Sequence, residues 1–398
     1  MALTLAQRKT SNAYEQIFTK VAVAKEISNF RFQSELNYGE SLDRIGLSFS
    51  SVFARPTVDG SAKTFDTITD SRETWTVNVQ QEVSVILPAN RKIQTGPLGI
   101  EEFIGKELGK IITLDFDARV LNQVTNATYA FDAGDLTSTA SNGTPITPSS
   151  TTVPQMSAQM PAKLSSKNQM IGDMVFVCDS YFLSSIEQYL QGKNINLAAD
   201  VFANGYAGGK FAQAKVYISE NLTGETVVTM GTNPSDGQVV VVGGIPLTAK
   251  STLGSTAGNF KIGVDVDTTR ATLGAFINDP ETTSSTQVAL AESDYNNLQY
   301  NLRVTATNDN TANTLTLVGI GAGVLTVTTD VTSATVSQMT HMLYGKKGAI
   351  DTVLQKDMLI ENVKRSDGAG QSIWATYLGG IKLFNDSKEK LLDVKVAR

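Results

Sequence analysis

Apolar and polar residues alternate along two stretches near the N-terminus. In RIGLSFSSVFAR (residues 44–55), Leu47, Phe49 and Phe53 share one face, and Pro56 ends the run. After a polar segment, ETWTVNVQQEVSVILP (residues 73–88) puts Trp75, Val77, Val79, Val83, Val85 and Leu87 on one face. Thr76, Asn78, Gln80, Glu82 and Ser84 take the other. A period of two predicts strands. One strand from Glu73 to Leu87 would extend ~45–50 Å at ~3.3 Å per residue, whereas an ordinary strand has ~5–6 residues. The two runs predict a long hairpin whose apolar face exceeds what a compact chain can cover. A neighbouring copy is the natural cover.

The period lengthens after Pro97 and Gly99. GIEEFIGKELGKIITLDFDARVLNQV predicts a long helix with a buried stripe of Ile100, Ile104, Leu108, Ile111, Ala118, Leu121 and Val124. Glu101 and Glu102 sit in its first turn, where the helix dipole favours acids. Gly105 and Gly109 each cost ~1 kcal/mol in a helix interior, which suits close packing against another backbone. Upstream, Ile17, Val21 and Ala24 have helical spacing in a mildly basic arm carrying Arg8, Lys9, Lys20, Lys25 and Arg31.

Residues 136–162 hold no charge. They predict a loop to about Thr151, then helical spacing at Met156, Met160 and Leu164 that Pro161 opposes. MVFVC (174–178) predicts a buried strand, Asp179 and Ser180 cap the helix YFLSSIEQYLQG, and FAQAKVYIS (211–219) predicts another strand. From 231 to 333 Thr, Gly and Val dominate. KIGVDVDTT, LRVTATN, TLTLVG and VLTVTTDV are strand-like, and TTRATLGAFIND suits one short helix. This predicts an independent β-rich insert that splits the main domain, which resumes at 334.

Composition narrows the chemistry. The 398 residues are 41% apolar and 18% charged, enough for a sizeable core. The net charge of −6 excludes binding nucleic acid through bulk charge. The single cysteine, Cys178, excludes a disulfide within the chain. MALTLAQRKTSNAYEQ lacks a signal-peptide core, and no apolar run approaches the ~20 residues that span a bilayer, so cytosolic synthesis and no membrane role are expected.

GIGAG (319–323) invites a nucleotide-loop reading. A dinucleotide loop needs GxGxxG opening a helix, but Val324 stands at the last glycine's place and a β-branched run follows. No Lys-Ser or Lys-Thr completes a P-loop. A glycine hairpin turn is expected. The only histidine, His341, falls in SQMTHMLYG, read as a helix, and is expected to be structural. Cys178 in an apolar strand is expected to have a raised pKa. One His and one Cys build no zinc site. Asp265 and Asp267 alternate on a strand without a calcium loop, and Asp115 and Asp117, two apart on a helix, do not face each other. Lys346 and Lys347 are read as solvated charge. No catalytic residue, cofactor or metal is expected.

The order of parts resembles the major capsid proteins of tailed bacteriophages, with their α+β Hong Kong 97-type fold, and most of all podovirus-type coats with an inserted domain. SLDRIGLSFSSVF and SRETWTVNVQQEVSV resemble the two strands of the extended E-loop. CDSYFLSSIEQYL followed by GYAGGKFAQAKVYISENLT resembles a recurring strand–helix–turn–strand pattern of capsid proteins. YLGGIKLFNDSKEKLLDVKV resembles the closing strands, and IGVDVDTTRATLGAFIN resembles small β modules of phage structural proteins.

The resemblance implies an N-terminal arm (1–35), an E-loop hairpin (36–90), and a peripheral domain with spine helix and the first part of the axial domain (91–230). A β-rich insertion domain (231–333) and the rest of the axial and peripheral domains (334–398) follow. It implies self-assembly as hexamers and pentamers into an icosahedral virion shell around double-stranded DNA, with non-specific DNA contact. Scaffolding, portal and decoration proteins are further implied partners. Expected inter-subunit contacts are Phe53, Arg55, Asp70, Arg72, Glu73 and Trp75, with Trp75→Ala expected to weaken assembly more than subunit folding. Two other readings stand beside this one: a tail tube or fibre protein, and a soluble enzyme with a carboxylate pair.

Overall fold

A computed structural model describes residues 22–36, 40–48, 66, 69–88, 100–137, 140–167, 172–191, 210–364 and 370–398. Strands β1 (Ser41–Ser48) and β2 (Thr69–Thr76) pair antiparallel in a two-stranded sheet that joins no other described strand. The run expected as one strand from Glu73 to Leu87 is two. It breaks at Val77 and Asn78, and β3 (Val79–Pro88) enters a different sheet. The alternation continues across the break because both halves have a buried face, so polarity alone marks no boundary.

The expected long helix runs over Ile100–Asn122 and tightens into a 3-10 turn, Gln123–Asn126. Its buried ridge passes through Leu108, Ile112, Phe116 and Val120, with Ala118, Leu121 and Val124 buried beside it; Ile111 is exposed. Ile111 and Ile112 point ~100° apart, and only the second lies four residues from both Leu108 and Phe116.

Strands β4 (Tyr129–Phe131), β5 (Met174–Cys178), β6 (Lys210–Phe211), β7 (Ala214–Ile218) and β8 (Thr223–Thr229) follow. Helices Thr152–Ser166, with Pro161 inside it, and Ser180–Gln191 lie among them. FAQAKVYIS is not one strand but the tight hairpin β6–β7, turned by Ala212 (φ 50°) and Gln213 (φ 64°). Then come β9 (Val239–Val242), β10 (Ile245–Lys250), β11 (Asn259–Lys261), the helix Val266–Asn278, β12 (Val304–Asp309), β13 (Thr314–Gly319) and β14 (Val327–Thr329). The expected strand at VDVDTT is a helix start instead. The Asp265 carboxylate accepts the Thr268 N–H at 2.7 Å, an N-cap that outweighs the local alternation.

Four long or late strands close the chain: β15 (Thr335–Lys346), β16 (Asp351–Lys364), β17 (Gly370–Lys382) and β18 (Leu391–Ala397). SQMTHMLYG is the middle of β15, not a helix. It is buried continuously from Met339 to Gly345, so the period of two that marks a half-exposed strand is lost. One edge of β15 pairs with β8 and then β5; the other pairs with β18. This strand organises a nine-stranded sheet, β12-β13-β8-β15-β5-β7-β6 with β18 and β4 beyond β15. A three-stranded sheet, β16-β17-β3, packs on the long helix, and β11-β10-β9-β14 form a small sheet.

Three apolar clusters follow from this. The largest joins the long helix to the nine-stranded sheet. The second lies within residues 228–331, around Val240, Phe260, Phe276 and Leu317. Yet β13 pairs with β8 and β12 with β13, so this region shares the main sheet. The third cluster holds Leu36, Trp75, Val77, Val353 and Phe384. GIGAG is no hairpin. It ends β13 in one sheet and leads to β14 in another. Gly321 (φ 77°) passes so close to the long helix that a Cβ there would lie 2.7 Å from the Ala118 Cβ.

Candidate functional site

The hairpin β1–β2 is the described element with least support from its own sheet, and its root is held by named side chains. Leu42 pairs with Trp75, Arg44 with Glu73 and Ile45 with Arg72. Arg44 reaches out of the hairpin and grips Asp386 bidentately, at 2.7 and 2.9 Å, while its guanidinium lies 4.7 Å from the Phe384 ring centroid. The Arg44 guanidinium holds the Asp386 carboxyl down at about 2. Glu73 accepts the Asn385 N–H at 3.2 Å, where a short helix, Asn385–Lys388, begins. Trp75 packs edge-on against Phe32 and Phe384, with ring centroids 5.9 Å apart in both cases. Gly380 is required beneath it, since a Cβ there would meet the indole Nε1 at 2.8 Å.

These contacts revise the expected set. Trp75 is 2% exposed and belongs to the chain's own core, so an aromatic residue expected at a neighbour's surface instead anchors the hairpin to its own chain. Glu73 is engaged with the body. Arg72 stays within the hairpin, ion-paired to Asp43, whose other oxygen accepts the Thr74 hydroxyl at 2.6 Å. Phe53 and Arg55 lie outside the described residues. Asp70 is placed opposite Leu47 in register, and its side chain lies outside the described residues. Arg44 and Asp386 were missed by sequence reasoning. Opposite charges 342 positions apart leave no local signal.

The body to which the hairpin is fixed is tied through the long helix. Asp117 is fully buried, and one oxygen accepts the Val23 and Ala24 N–H groups, each at 2.6 Å. Its other oxygen accepts Asn221 Nδ2 at 2.7 Å and the Ser219 hydroxyl at 3.3 Å. Burial pushes its carboxyl up against the pull of these four donors. Two residues earlier, Asp115 faces the other way. It accepts from Tyr377 Oη at 2.7 Å and Arg119 Nε at 2.9 Å, and it pairs with Arg303 at 2.5 Å. The two carboxylates thus hold different segments, the arm root and β17.

His341 is bracketed by Asp393 (2.8 Å) and Glu225 (3.0 Å), joining β15, β18 and β8. Burial pushes its pKa down, but Asp393 and then Glu225 overcome this and raise it to about 9. A histidine held charged between two carboxylates is poorly suited to act as a base at neutral pH. Burial pushes the Cys178 thiol up to about 12, which blunts it. Asp179 accepts the Phe182 N–H at 2.9 Å as the expected cap and also pairs with Arg398. Among the described residues no group of three or more His, Cys, Asp or Glu side chains is placed to hold a metal ion. No described helix is long and apolar enough to cross a membrane.

On the three-stranded sheet, a cleft of about 360 Å³ opens between Glu82, Ser84, Val85, Ile86, Ser372 and Trp374. Ile86 is 56% exposed there, and the Trp374 Nε1–H is buried with no acceptor among the described residues. Ile45 of the hairpin is 69% exposed.

No protein-family model matches the sequence, and no curated protein matches it. Solved structures from phages do. The chain is similar to a structure from Mycobacterium phage Che8, with a TM-score of 0.53 and 11% identity over 98% of this chain and 97% of that one. It is also similar to the capsid structure of Cyanophage P-SCSP1u (TM-score 0.49, 10% identity, 99% and 94% covered). A structure from Mycobacterium phage Ogopogo gives a TM-score of 0.49 and 13% identity over 98% and 96%. The match to the Che8 structure spans nearly the whole of both chains, and the fold is α+β of the Hong Kong 97 type.

Proposed function

We propose that this chain is a major capsid protein, which self-assembles into the icosahedral shell around a double-stranded DNA phage genome. The observation that carries the reading is the fold, which has a separate hairpin and a long helix and is similar overall to a phage structure along nearly the full length of both chains. A two-stranded hairpin is marginal in water unless covered. Exposed Ile45 on it, and exposed Val85 and Ile86 beside the orphaned Trp374 N–H, support cover by adjacent copies in closed rings.

In this reading residues 36–90 form the E-loop, 231–333 the insertion domain, and 91–230 with 334–398 the peripheral and axial domains. The chain acts structurally, not catalytically, in the virion. Phe53, Arg55, Asp70 and Arg72 are the proposed inter-subunit contacts. Hexamers and pentamers build the shell, with scaffolding, portal and decoration proteins as partners and non-specific contact with packaged DNA. Electron microscopy of the protein expressed with and without its neighbouring genes tests this. Closed shells are expected. Stacked rings or tubes would favour a tail protein, and a monodisperse monomer under all conditions would overturn the reading.

A further inference from the structure

At the edge of the nine-stranded sheet a cleft of about 300 Å³ is lined by Lys210, Lys215 and Lys347, together with Asp173, Gln213 and Tyr217. The three lysines come from separate segments: β6, β7 and the turn after β15. Lys210 and Lys215 are direct cross-strand partners, brought face to face by the tight turn at Ala212 and Gln213. The Tyr344 hydroxyl donates to the Ala212 carbonyl at 2.8 Å and fixes that turn. Lys347 is positioned by its own N–H, which bonds to the Asp173 carbonyl at 2.9 Å. Lys215 Nζ lies 4.8 Å from the Tyr217 ring centroid.

Like charges directly opposite on paired strands destabilise a sheet. Here a third cation is added rather than a compensating acid. The cleft's own carboxylate is Asp173, and Glu26 acts on Lys215 from further off. None of the three lysines forms an ion pair with a described carboxylate. Lysine on an edge strand also guards against edge-to-edge pairing. That explains Lys210 on β6, but not Lys215 on the inner strand β7 or Lys347 on a different element. Three lysines and an amide lining one cleft suit a phosphate oxyanion.

We propose that this cleft binds a phosphate oxyanion. The source is either free phosphate or the phosphodiester backbone of nucleic acid. The inference uses only this geometry, so its failure leaves the capsid reading, which rests on the fold, untouched.

The test uses the full-length unassembled protein. Inorganic phosphate is titrated by calorimetry, and a labelled mixed-sequence DNA duplex by fluorescence polarisation across a salt series. The double variant Lys210→Gln/Lys215→Gln is expected to bind about tenfold more weakly. On the duplex its salt slope falls by about 1.8, or ~0.9 for each lysine removed. Lys347→Gln shows a smaller loss of the same kind and covers the case in which the double variant misfolds. Lys261→Gln, exposed on β11, changes neither. Phosphate binding without duplex binding identifies the small anion as occupant; duplex binding with the reduced slope identifies the backbone. A wild-type protein that binds neither probe, or a folded Lys347→Gln or double variant that binds as wild type, overturns the proposal.

Discussion

Replacing Trp75 by alanine separates two roles for the hairpin. The side chain is 2% exposed and fills the small cluster of Leu36, Val77, Val353 and Phe384, with Phe32 partly covering it. Removing a buried Trp costs ~3–5 kcal/mol through lost transfer energy and the cavity left behind. Two edge-on aromatic contacts disappear as well, each worth ~0.5–1.5 kcal/mol beyond area and already within that range. The indole Nε1 makes no hydrogen bond among the described residues, so no polar contribution adds to the loss. We therefore expect about 3–5 kcal/mol. It should be localised, because this cluster is separate from the one around the long helix. Hydrogen exchange of the purified protein is the assay. Amides of β1, β2 and the Phe384–Lys388 segment should exchange at least about a hundredfold faster, since 1.4 kcal/mol is a factor of ten, while β5 and β15 keep their protection. Unchanged exchange in β1 and β2, alongside a defect confined to assembly, would refute the reasoning and restore Trp75 to a neighbour's surface.

Three further outcomes follow from the same contacts. Asp117→Ala leaves the Val23 and Ala24 N–H groups and Asn221 without their acceptor and should cost ~3–5 kcal/mol, read by denaturant melts and by faster proteolysis near residue 23. The His341 pKa is raised from 6.5 to about 9, so its contribution to stability is full below about 6.5 and is lost as pH rises through about 9; His341→Gln should flatten the melting temperature over that range. Gly321→Ala, at φ 77° with Ala118 2.7 Å from the new Cβ, should lower the melting temperature several degrees more than Gly143→Ala, where φ is 88° and nothing lies within 4 Å.

Local pattern made the long helix, the strand at MVFVC and the Asp179 cap legible, because each is set by neighbours within a few positions. Legibility failed where tertiary context decides. The alternation from Trp75 to Leu87 is real, but the chain leaves one sheet for another in the middle of it, and a period of two carries no mark of which partner a strand will take. His341 lies in a strand that looked helical because burial on both faces removes alternation. The GIGAG glycines, expected to turn a hairpin, serve instead a crossing past the long helix that no local rule foretells.

The candidate site shows the same division more sharply. Asp115 and Asp117 form no pair, because residues two apart on a helix diverge. That divergence is what makes them useful. One carboxylate faces β17 through Tyr377, and the other faces the arm root through Val23 and Ala24. A single turn of one helix thereby fixes two segments more than 350 positions apart at their outer limits. The β17 side leads on to Phe384, Asn385 and Asp386, which hold Trp75, Glu73 and Arg44 of the hairpin. The hairpin is thus indexed to the long helix through β17 and not through its own sheet. Arg44–Asp386, Glu73–Asn385 and Trp75–Phe384 are parallel links in that connection. Sequence spacing exposes the composition of such a chain of contacts but not its order, since every link joins residues distant in sequence.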